Sequence, residues 1–399
     1  MRAGPDPGRR LIVVFAPDSF KGTLSSVEVA RALAEGWARG RPHDELLLAP
    51  LADGGEGTLA AIAAAGGWVV ESAEVQDPDF RTIQAEWLRS DDGRRAVIEM
   101  ARASGLSLVP PENRNPLVLT TFGTGQLVSA VLDAGVRRIT LGIGGSATND
   151  GGSGLLQALG ARPLNTAGNT QVVKSTATIP RLLPTVVRVD LAGLDPRLAE
   201  VDLRIACDVT NPLLGPIGAT ATFGPQKGVT PADAAFLETA LEAWADALEA
   251  ATGRRERDTP GAGAAGGVGF GLLCLRGRFR SLELVPGVDL VAEETGLDAK
   301  LAGADIVVTG EGRIDAQTAF GKTALGVARR AQAAGVRCIA VGGGVEPAGV
   351  EALAPLGVRV VPVHPTPIPL EKALAAGSAP LIACGERLAR TLGSTAADG

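Results

Sequence analysis

The stretch at residues 11–28, LIVVFAPDSFKGTLSSVE, carries the pattern on which the fold prediction rests. Its first five residues form a short apolar, β-branched run, which is typical of a buried strand. Ser25 and Glu28 form the pattern of a capping box, in which each side chain binds the backbone amide of the other residue at a helix start. Apolar residues then recur at helical spacing as far as Trp37. The stretch therefore predicts a strand, a charged loop and a helix, in that order.

The same succession returns late in the chain. The apolar run DIVVT at residues 305–309 leads into the loop GEGRIDAQTAFGKT at residues 310–323, and a helical pattern follows to about Gly335. The last three letters of this loop resemble a nucleotide-binding P-loop, but a P-loop needs glycine where this chain has Ala316. Strands, loops and helices in alternation predict a parallel sheet with helices on both of its faces.

The middle of the chain is organised differently, because several sheet-forming runs follow one another with little helix between them. We predict an α/β fold with a discontinuous Rossmann-like parallel-sheet domain, residues 11–77 and 289–399, and an inserted second α/β domain, residues 78–288. Residues 1–10 are expected to be a disordered tail. The length of 399 residues agrees with two domains, since single hydrophobic cores rarely grow beyond about 300 residues.

Composition and charge exclude several classes of function. Aromatic residues make up 3% of the chain and tyrosine is absent, which argues against surfaces that stack on bases or sugars. The net charge of −6, without a long basic run, argues against nucleic acid as a partner. No apolar run is long enough to cross a membrane. The four cysteines lie far apart and predict reduced thiols in a cytoplasmic protein rather than a disulfide or zinc framework.

Five polar, glycine-rich loops stand out because each follows a predicted strand. In open α/β sheets ligands bind at the carboxyl ends of the strands, so reactive side chains belong in such loops. The five loops are APDSFKG (residues 16–22), LADGGEG (51–57), LGIGGSATNDGGSG (141–154), ACDVTNPLLGPIGATATFGPQKG (206–228) and GEGRIDAQTAFGKT (310–323). A role as turns and helix caps is the alternative for each loop, and polarity and placement favour function.

The first two loops combine charged side chains with glycine. Asp18 and Lys21 follow the first strand, where a lysine can neutralise phosphate or carboxylate oxygens. In the second loop Asp53 precedes Gly54 and Gly55, which let the backbone come close to a ligand and present N–H groups to an anion. A carboxylate beside a phosphate indicates a divalent cation, and oxygen ligands suit Mg²⁺.

The third loop contains a GxGxxA match that a dinucleotide fold would also show. The acid expected about 20 residues further on is absent, so an NAD site is weakly supported. The loop instead supplies polar groups that suit phosphate or a small hydroxylated substrate, namely Gly144, Gly145, Ser146, Thr148, Asn149 and Asp150. A second match, GxGxxG at residues 261–266, follows a charged linker, which favours a glycine hinge or an anion-binding backbone nest over a dinucleotide site.

The last two loops hold the remaining candidate charges. Asp208 follows a strand, and Lys227 lies near the end of the long loop that begins there. A purely structural loop of this length would be uncommon. In the fifth loop, Glu311, Arg313 and Asp315 follow a buried strand, where so many charges favour function over a solvated helix cap.

Together these blocks resemble the glycerate kinase family of bacterial sugar-acid catabolism. The resemblance is carried by APDSFKGTLSSVEVA, PLADGGEGT, GIGGSATNDGGSGLLQALGA, ACDVTNPLLGP with GATATFGPQKG, PGAGAAGGVGFGL, and TGEGRIDAQT with GK, in this order from about Leu11 to past Val345. It implies ATP-dependent phosphorylation of D-glycerate with Mg²⁺, at the 2-hydroxyl, giving 2-phosphoglycerate and ADP. It also implies a split Rossmann-like domain with an inserted second domain.

This chemistry suggests roles for the acids. Phosphoryl transfer needs positioning, a metal ion on the phosphates and cationic side chains more than covalent chemistry. An acid must accept the proton of the substrate hydroxyl, and we assign this role to Asp208, with Asp18 as the second candidate. We assign the binding of Mg²⁺ or its waters to Asp53, Glu311 and Asp315.

The cations and glycines receive the remaining roles. We assign the glycerate carboxylate and the transferring phosphate to Lys21, Lys227 and Arg313, since an arginine fork binds two oxygens at once. The residues expected to contact the cofactor or substrate are Gly54, Gly55, Gly144, Gly145, Ser146, Thr148, Asn149 and Lys227.

Three alternatives remain open at this point. The first is a glycerate 3-kinase, since the sequence does not give the position of phosphorylation. The second is an NAD-dependent hydroxy-acid enzyme, which rests on the two glycine matches. The third is a non-catalytic sensor of a small acid, although the acids and lysines at strand ends count against it. We expect a small-molecule substrate, no nucleic-acid or membrane partner, and a monomer or homodimer.

Overall fold

The computed structural model of the chain describes residues 9–20, 22–170, 178–316, 318, 323–366 and 368–394. Its strands are β1 Ile12–Pro17, β2 Glu45–Leu48, β3 Trp68–Gln76, β4 Thr82–Ser90, β5 Arg95–Glu99, β6 Arg138–Gly142, β7 Arg162–Leu164, β8 Arg188–Asp190, β9 Asp202–Ala206, β10 Ser281–Val285, β11 Ile306–Ile314, β12 Arg337–Val345 and β13 Arg359–Pro362. Most of the tail expected at residues 1–10, namely residues 1–8, lies outside the described residues.

Helices connect most of these strands. They are α1 Ser26–Gly40, α2 Thr58–Ala64, α3 Ala101–Ser104, α4 Phe122–Asp133, α5 Ser153–Ala158, α6 Ala219–Phe223, α7 Pro231–Thr252, α8 Ala264–Cys274, α9 Gly287–Glu294, α10 Leu297–Gly303, α11 Thr323–Ala334, α12 Pro347–Leu353, α13 Leu370–Ala375 and α14 Ala379–Ser394. Across the described ranges, none of them has the length and apolar character needed to cross a membrane.

The chain divides into two compact units. The first contains the described residues of Met1–Asp53, Ala60–Gly66 and Val288–Gly399, and the second contains those of Gly54–Leu59 and Gly67–Gly287. The expected inserted domain began at residue 78, whereas the second unit also includes β3 and the short segment Gly54–Leu59. Strand β3 belongs to the second unit because it is hydrogen-bonded to β4 along its whole length.

The first unit is built on a five-stranded sheet in the order β13-β12-β11-β1-β2, with every neighbouring pair parallel. Helix α1 begins at the predicted capping box, since Ser25 Oγ accepts from the Glu28 amide at 3.3 Å and the Glu28 carboxylate accepts from the Ser25 amide at 2.8 Å. Phe15 from β1 and Trp37 from α1 pack edge to face in the core, with ring centroids 6.0 Å apart. This arrangement confirms the predicted α/β fold with a parallel sheet.

The second unit has its own core and a six-stranded sheet in the order β10-β9-β6-β5-β4-β3. The strands from β10 to β5 are parallel, and β4 and β3 join them in antiparallel pairs. The long helix α7 begins after Thr230, whose side chain accepts from the Asp233 amide, and ends at Gly253 in the left-handed region. Because β9, β6 and β5 are adjacent and parallel, the loops that follow them lie at the same edge of this sheet.

Candidate functional site

In the first unit, two acids lie side by side on neighbouring strands. Asp18 directly follows β1, whereas Glu311 lies within β11, which continues to Ile314. The prediction that Glu311 and Arg313 follow this strand is therefore wrong, because both pair with β12, at Gly342 and Gly344. Pro17 of β1 pairs with Gly310 of β11, so Asp18 and Glu311 are the next residues on adjacent strands. The Asp18 amide donates to the Gly310 carbonyl at 2.8 Å. The Asp18 carboxylate accepts from Thr323 Oγ1 at 2.7 Å. The threonine of the Gly-Lys-Thr triplet, which is unrelated to a P-loop by spacing, therefore binds one of the two candidate bases.

The loop after β11 is organised around Thr318. Its hydroxyl donates to the Glu311 carboxylate at 2.9 Å and accepts from the Asp315 amide at 3.2 Å. The neighbouring guanidinium of Arg313 is exposed and donates to Glu346 Oε1 from Nε at 3.0 Å and from Nη2 at 2.5 Å. An exposed ion pair of this kind contributes little to stability, so Arg313 can exchange Glu346 for another carboxylate at small cost.

The predicted metal ligands belong to the first unit. Glu311 is 6% exposed, Asp315 is half-buried and Asp53 is exposed. Within the described ranges no group of three or more His, Cys, Asp or Glu side chains is placed to hold a metal ion. Mg²⁺ usually takes one or two carboxylates together with substrate phosphates, and carboxylate oxygens are the donors it prefers. Lys21, the first predicted cation, lies outside the described residues.

In the second unit, the loop after β6 packs backbone to backbone against the Gly54–Leu59 segment. A Cβ atom on Gly142 would lie 2.4 Å from the Gly54 carbonyl oxygen, and one on Gly144 would lie 2.6 Å from the Gly55 Cα atom. Both distances are too short for any side chain, so the glycines are required by this close approach. The structure thus brings together two loops that the sequence predicted separately.

Lys227 lies beneath the same loop. Its side chain is 1% exposed, and its Nζ atom donates to Ser146 Oγ and to the Thr148 carbonyl, both at 2.7 Å. Burial lowers the pKa of the Lys227 ammonium to about 7, and the negative charge of Asp150 acts in the opposite direction. Lys227 therefore forms one cluster with Ser146 and Thr148, from which it is separated by 81 and 79 residues of sequence.

Asp150 fixes the C-terminal part of the loop after β6. Its buried carboxylate accepts from the Thr121 amide and hydroxyl, both at 2.8 Å, and from the Gly152 and Gly154 amides at 3.1 and 3.2 Å. Burial raises the pKa of the Asp150 carboxyl, and these hydrogen bonds act in the opposite direction. A buried acid that satisfies so many donors fixes the backbone around it.

Several polar atoms of the loop are buried without a protein partner. Within the described ranges, Thr148 Oγ1, Asn149 Oδ1 and Ser153 Oγ have no hydrogen-bond partner, while Asn149 Nδ2 donates to Thr220 Oγ1 at 3.0 Å. Buried polar groups normally find a partner in protein, water or ligand. Hydroxyl and amide oxygens beside a buried ammonium suit a small molecule that carries hydroxyl groups and negative charge.

Asp208, the predicted base, follows β9 and is exposed. Its Oδ1 atom accepts from the amide of Gly287, the last residue of the second unit, at 2.8 Å. The other glycine match, at residues 261–266, follows turns rather than a strand, as the sequence predicted. Gly266 has a φ of +68°, and a Cβ atom there would lie 2.0 Å from the Thr148 carbonyl oxygen. Gly266 therefore packs directly against the backbone of the loop after β6.

Sequence reasoning missed one buried acid near these loops. Glu99 ends β5 and is 2% exposed, and its Oε1 atom accepts from the Leu59 amide at 2.8 Å. Burial raises the pKa of Glu99. Its position directly after the buried run AVI was an available signal, because an acid at a strand end resembles the other candidates. Its amide partner could not have been read from the sequence, since it lies 40 residues away.

Known proteins resemble this chain over nearly its whole length. A family model described as the glycerate kinase family matches residues 13–393. A glycerate kinase of Bacillus subtilis is 46% identical over 334 residues, which span 84% of this chain and 85% of that protein. The glycerate 2-kinase of Escherichia coli is 44% identical over 320 residues, which span 80% of this chain and 82% of that protein.

A solved structure extends the similarity to three dimensions. The crystal structure of a glycerate kinase 2 candidate from Salmonella typhimurium has a TM-score of 0.84 and 42% sequence identity to this chain. The similarity covers 98% of this chain and 100% of that chain.

Proposed function

This chain belongs to the glycerate kinase family, and we propose that it transfers the γ-phosphoryl group of ATP to the 2-hydroxyl of D-glycerate, giving 2-phosphoglycerate and ADP. Membership in a kinase family implies the use of ATP. The choice of the 2-hydroxyl is supported by the glycerate 2-kinase among the relatives, and a glycerate 3-kinase or an NAD-dependent enzyme is not favoured.

The observation that carries the proposal is the cluster around Lys227. Its ammonium is fixed by Ser146 Oγ and the Thr148 carbonyl, next to loop residues whose buried Thr148 Oγ1 and Asn149 Oδ1 atoms lack partners among the described residues. Glycerate and the phosphates of ATP both present oxygens that such donors and acceptors bind. In a site shielded from water, a fixed cation stabilises the charge on a transferring phosphoryl group more strongly than it would in solution.

The acids of the first unit supply the remaining chemistry in this proposal. Of Asp53, Glu311 and Asp315, one or two would bind Mg²⁺ directly and the rest its waters. The ion would neutralise phosphate charge when the nucleotide is bound. Arg313 would leave Glu346 and bind a substrate carboxylate or phosphate through its planar fork. Lys21 would contribute a third cation, after Lys227 and Arg313.

The glycines and a general base complete the assignment. Gly54, Gly55, Gly144 and Gly145 would let the backbone approach the phosphates. Asp208 would accept the proton of the attacking hydroxyl, with Asp18 as the second candidate.

Cellular location and assembly form a separate part of the proposal. We place the enzyme in the cytoplasm as a monomer or homodimer. The four cysteines are unpaired thiols, which agrees with a reducing compartment.

The test is a coupled assay of ADP release by the purified chain. D-Glycerate, tartronate and hydroxypyruvate are compared as substrates, and ATP-dependent ADP release is expected with D-glycerate. EDTA is expected to abolish the activity and added Mg²⁺ to restore it. NMR of the product distinguishes 2-phosphoglycerate from 3-phosphoglycerate. Absence of glycerate-dependent ADP release would overturn the proposed activity, and activity that survives EDTA would overturn the role of the metal.

A further inference from the structure

Glu99 is a buried acid to which the proposed mechanism gives no role. It lies at the carboxyl end of β5, where it pairs with Gly142 at the end of β6. Its Oε1 atom accepts from the Leu59 amide at 2.8 Å, and its Oε2 atom accepts from Arg102 Nε at 3.2 Å. Burying a carboxylate is costly unless such partners replace water. The fold therefore retains Glu99 with a specific set of donors.

The backbone partner of Glu99, the Leu59 amide, belongs to a segment that is held on three strand ends. The short segment Gly54–Leu59 belongs to the second unit. In the sequence it is flanked on both sides by residues of the first unit, up to Asp53 and from Ala60 to Gly66. A Cβ atom on Gly54 would lie 2.4 Å from the Ala206 Cβ atom at the end of β9, and Gly142 at the end of β6 touches the Gly54 carbonyl. Glu99 at the end of β5 completes the set. Together the ends of β9, β6 and β5 form a seat for this segment.

The seat is more than a helix cap. A local cap, such as Ser25 at α1, satisfies the first amides of a helix with a side chain from the preceding turn. Glu99 reaches the same kind of amide from 40 residues away, so it also fixes the position of the segment on the sheet. Arg102, which is half exposed and also approaches Glu86 at 3.5 Å, provides the countercharge.

We propose that Glu99 is a positioning residue that seats Gly54–Leu59 on the strand ends and thereby fixes the backbone of Gly54 and Gly55. This inference rests on the proposed function, because those two glycines are assigned there to the phosphates. Glu99 acts through the segment and does not touch the substrate. A displacement of about 1 Å in such a segment can cost about 100-fold in rate.

The experiment compares Glu99→Gln with the matched control Glu86→Gln, which neutralises the other acid next to Arg102. Steady-state kinetics give kcat and KM for each substrate, and hydrogen–deuterium exchange reports on residues 54–59. Glutamine has a single acceptor oxygen, so it cannot accept from both the Leu59 amide and Arg102 as the two carboxylate oxygens do. We expect exchange at Thr58 and Leu59 to rise at least about tenfold, and kcat/KM for ATP to fall at least about tenfold, with KM for glycerate changed less. Glu86→Gln should change each by less than about twofold, since Glu86 is exposed.

Each outcome decides the proposal. Faster exchange with unchanged kinetic constants would show that Glu99 is a structural cap only. Unchanged exchange would show that Glu99 does not hold the segment in place. Either result overturns the proposal. If Glu99→Gln does not fold, Glu99→Asp keeps the charge, withdraws the carboxylate by one methylene, and is expected to show the same two effects. If the wild-type chain lacks glycerate-dependent ADP release, the proposed function fails, while the exchange data still decide whether Glu99 seats the segment.

Discussion

At the scale of single residues, Asp208 offers a substitution that separates catalysis from structure. Asparagine keeps an oxygen that can accept from the Gly287 amide, so Asp208→Asn preserves that hydrogen bond but removes the basic carboxylate. If Asp208 takes the substrate proton, kcat should fall by about 10²- to 10⁴-fold with little change in thermal stability. Steady-state kinetics and a melting curve measure both quantities.

The matched variant is Asp18→Asn, which alters the second candidate. Near wild-type turnover in Asp208→Asn, together with a large loss in Asp18→Asn, would move the base to the end of β1. If Asp18 binds a charged group while Asp208 accepts the proton, a large loss of turnover is expected in both variants.

Lys227 makes the activity depend on pH in a predictable direction. Its pKa of about 7 means that the ammonium of the free enzyme loses its charge as the pH rises through neutrality. Because kcat/KM reports ionisations of the free enzyme, it should fall across this range in the wild type. Lys227→Met should lower kcat/KM by about 10- to 100-fold below neutral pH, as expected for the loss of a charge-assisted hydrogen bond, and should lack this decline. A pH profile from about 5.5 to 9 measures the effect.

The same ionisation affects stability in the opposite sense. Between about 7 and 10.5 the unfolded lysine keeps a proton that the folded one has lost, so the contribution of Lys227 to the free energy of unfolding rises with pH.

Lys300→Met is the control for the decline in kcat/KM, since Lys300 donates to the carbonyls of Leu48, Ala65 and Thr295 away from the candidate residues. It should lower stability but keep the decline in kcat/KM. A decline that persists in Lys227→Met would show that another group causes it.

At the scale of elements, the N-terminal turn of α8 supports the loop after β6. Gly266 lies in the left-handed region, and its Cα packs against the Thr148 carbonyl that accepts from Lys227. In Gly266→Ala a methyl group would start 2.0 Å from that oxygen, so the loop must shift. We expect a loss of more than about 2 kcal/mol in the free energy of unfolding, from strain and overpacking together, and a lower kcat/KM in the folded fraction. Urea unfolding and steady-state kinetics provide the two measurements.

Gly277→Ala provides the comparison for this substitution, because a Cβ atom there meets nothing within 4 Å among the described residues and its φ needs no glycine. It should change neither quantity appreciably. Equal stability of the two variants would contradict the close packing of α8 on this loop. The sequence suggested a hinge or an anion nest for these glycines, whereas the structure shows that Gly266 and Gly267 are buried between backbone segments.

At the scale of the whole molecule, the predicted features that agree with the structure are local ones. The caps of α1 and α7 were recognised because a capping side chain lies within three residues of the amide that it binds. The parallel sheet of the first unit followed from the alternation of apolar runs and helical patterns along the chain. The limits of the second unit were harder to predict from the sequence. Strand β3 belongs to this unit through its pairing with β4, and Gly54–Leu59 through glycine contacts with β6 and β9.

The candidate site divides in the same way. The sequence by itself determined the α/β class, the glycine-rich loops at strand ends and the resemblance to the glycerate kinases, since these depend on residue type and on spacing along the chain. Only the tertiary structure decided that Lys227 lies buried under Ser146 and Thr148, that Asp150 binds Thr121, and that Glu99 binds the Leu59 amide. The physical reason is that desolvation and hydrogen bonding depend on distance in space, and in this chain the groups concerned are between 29 and 81 residues apart.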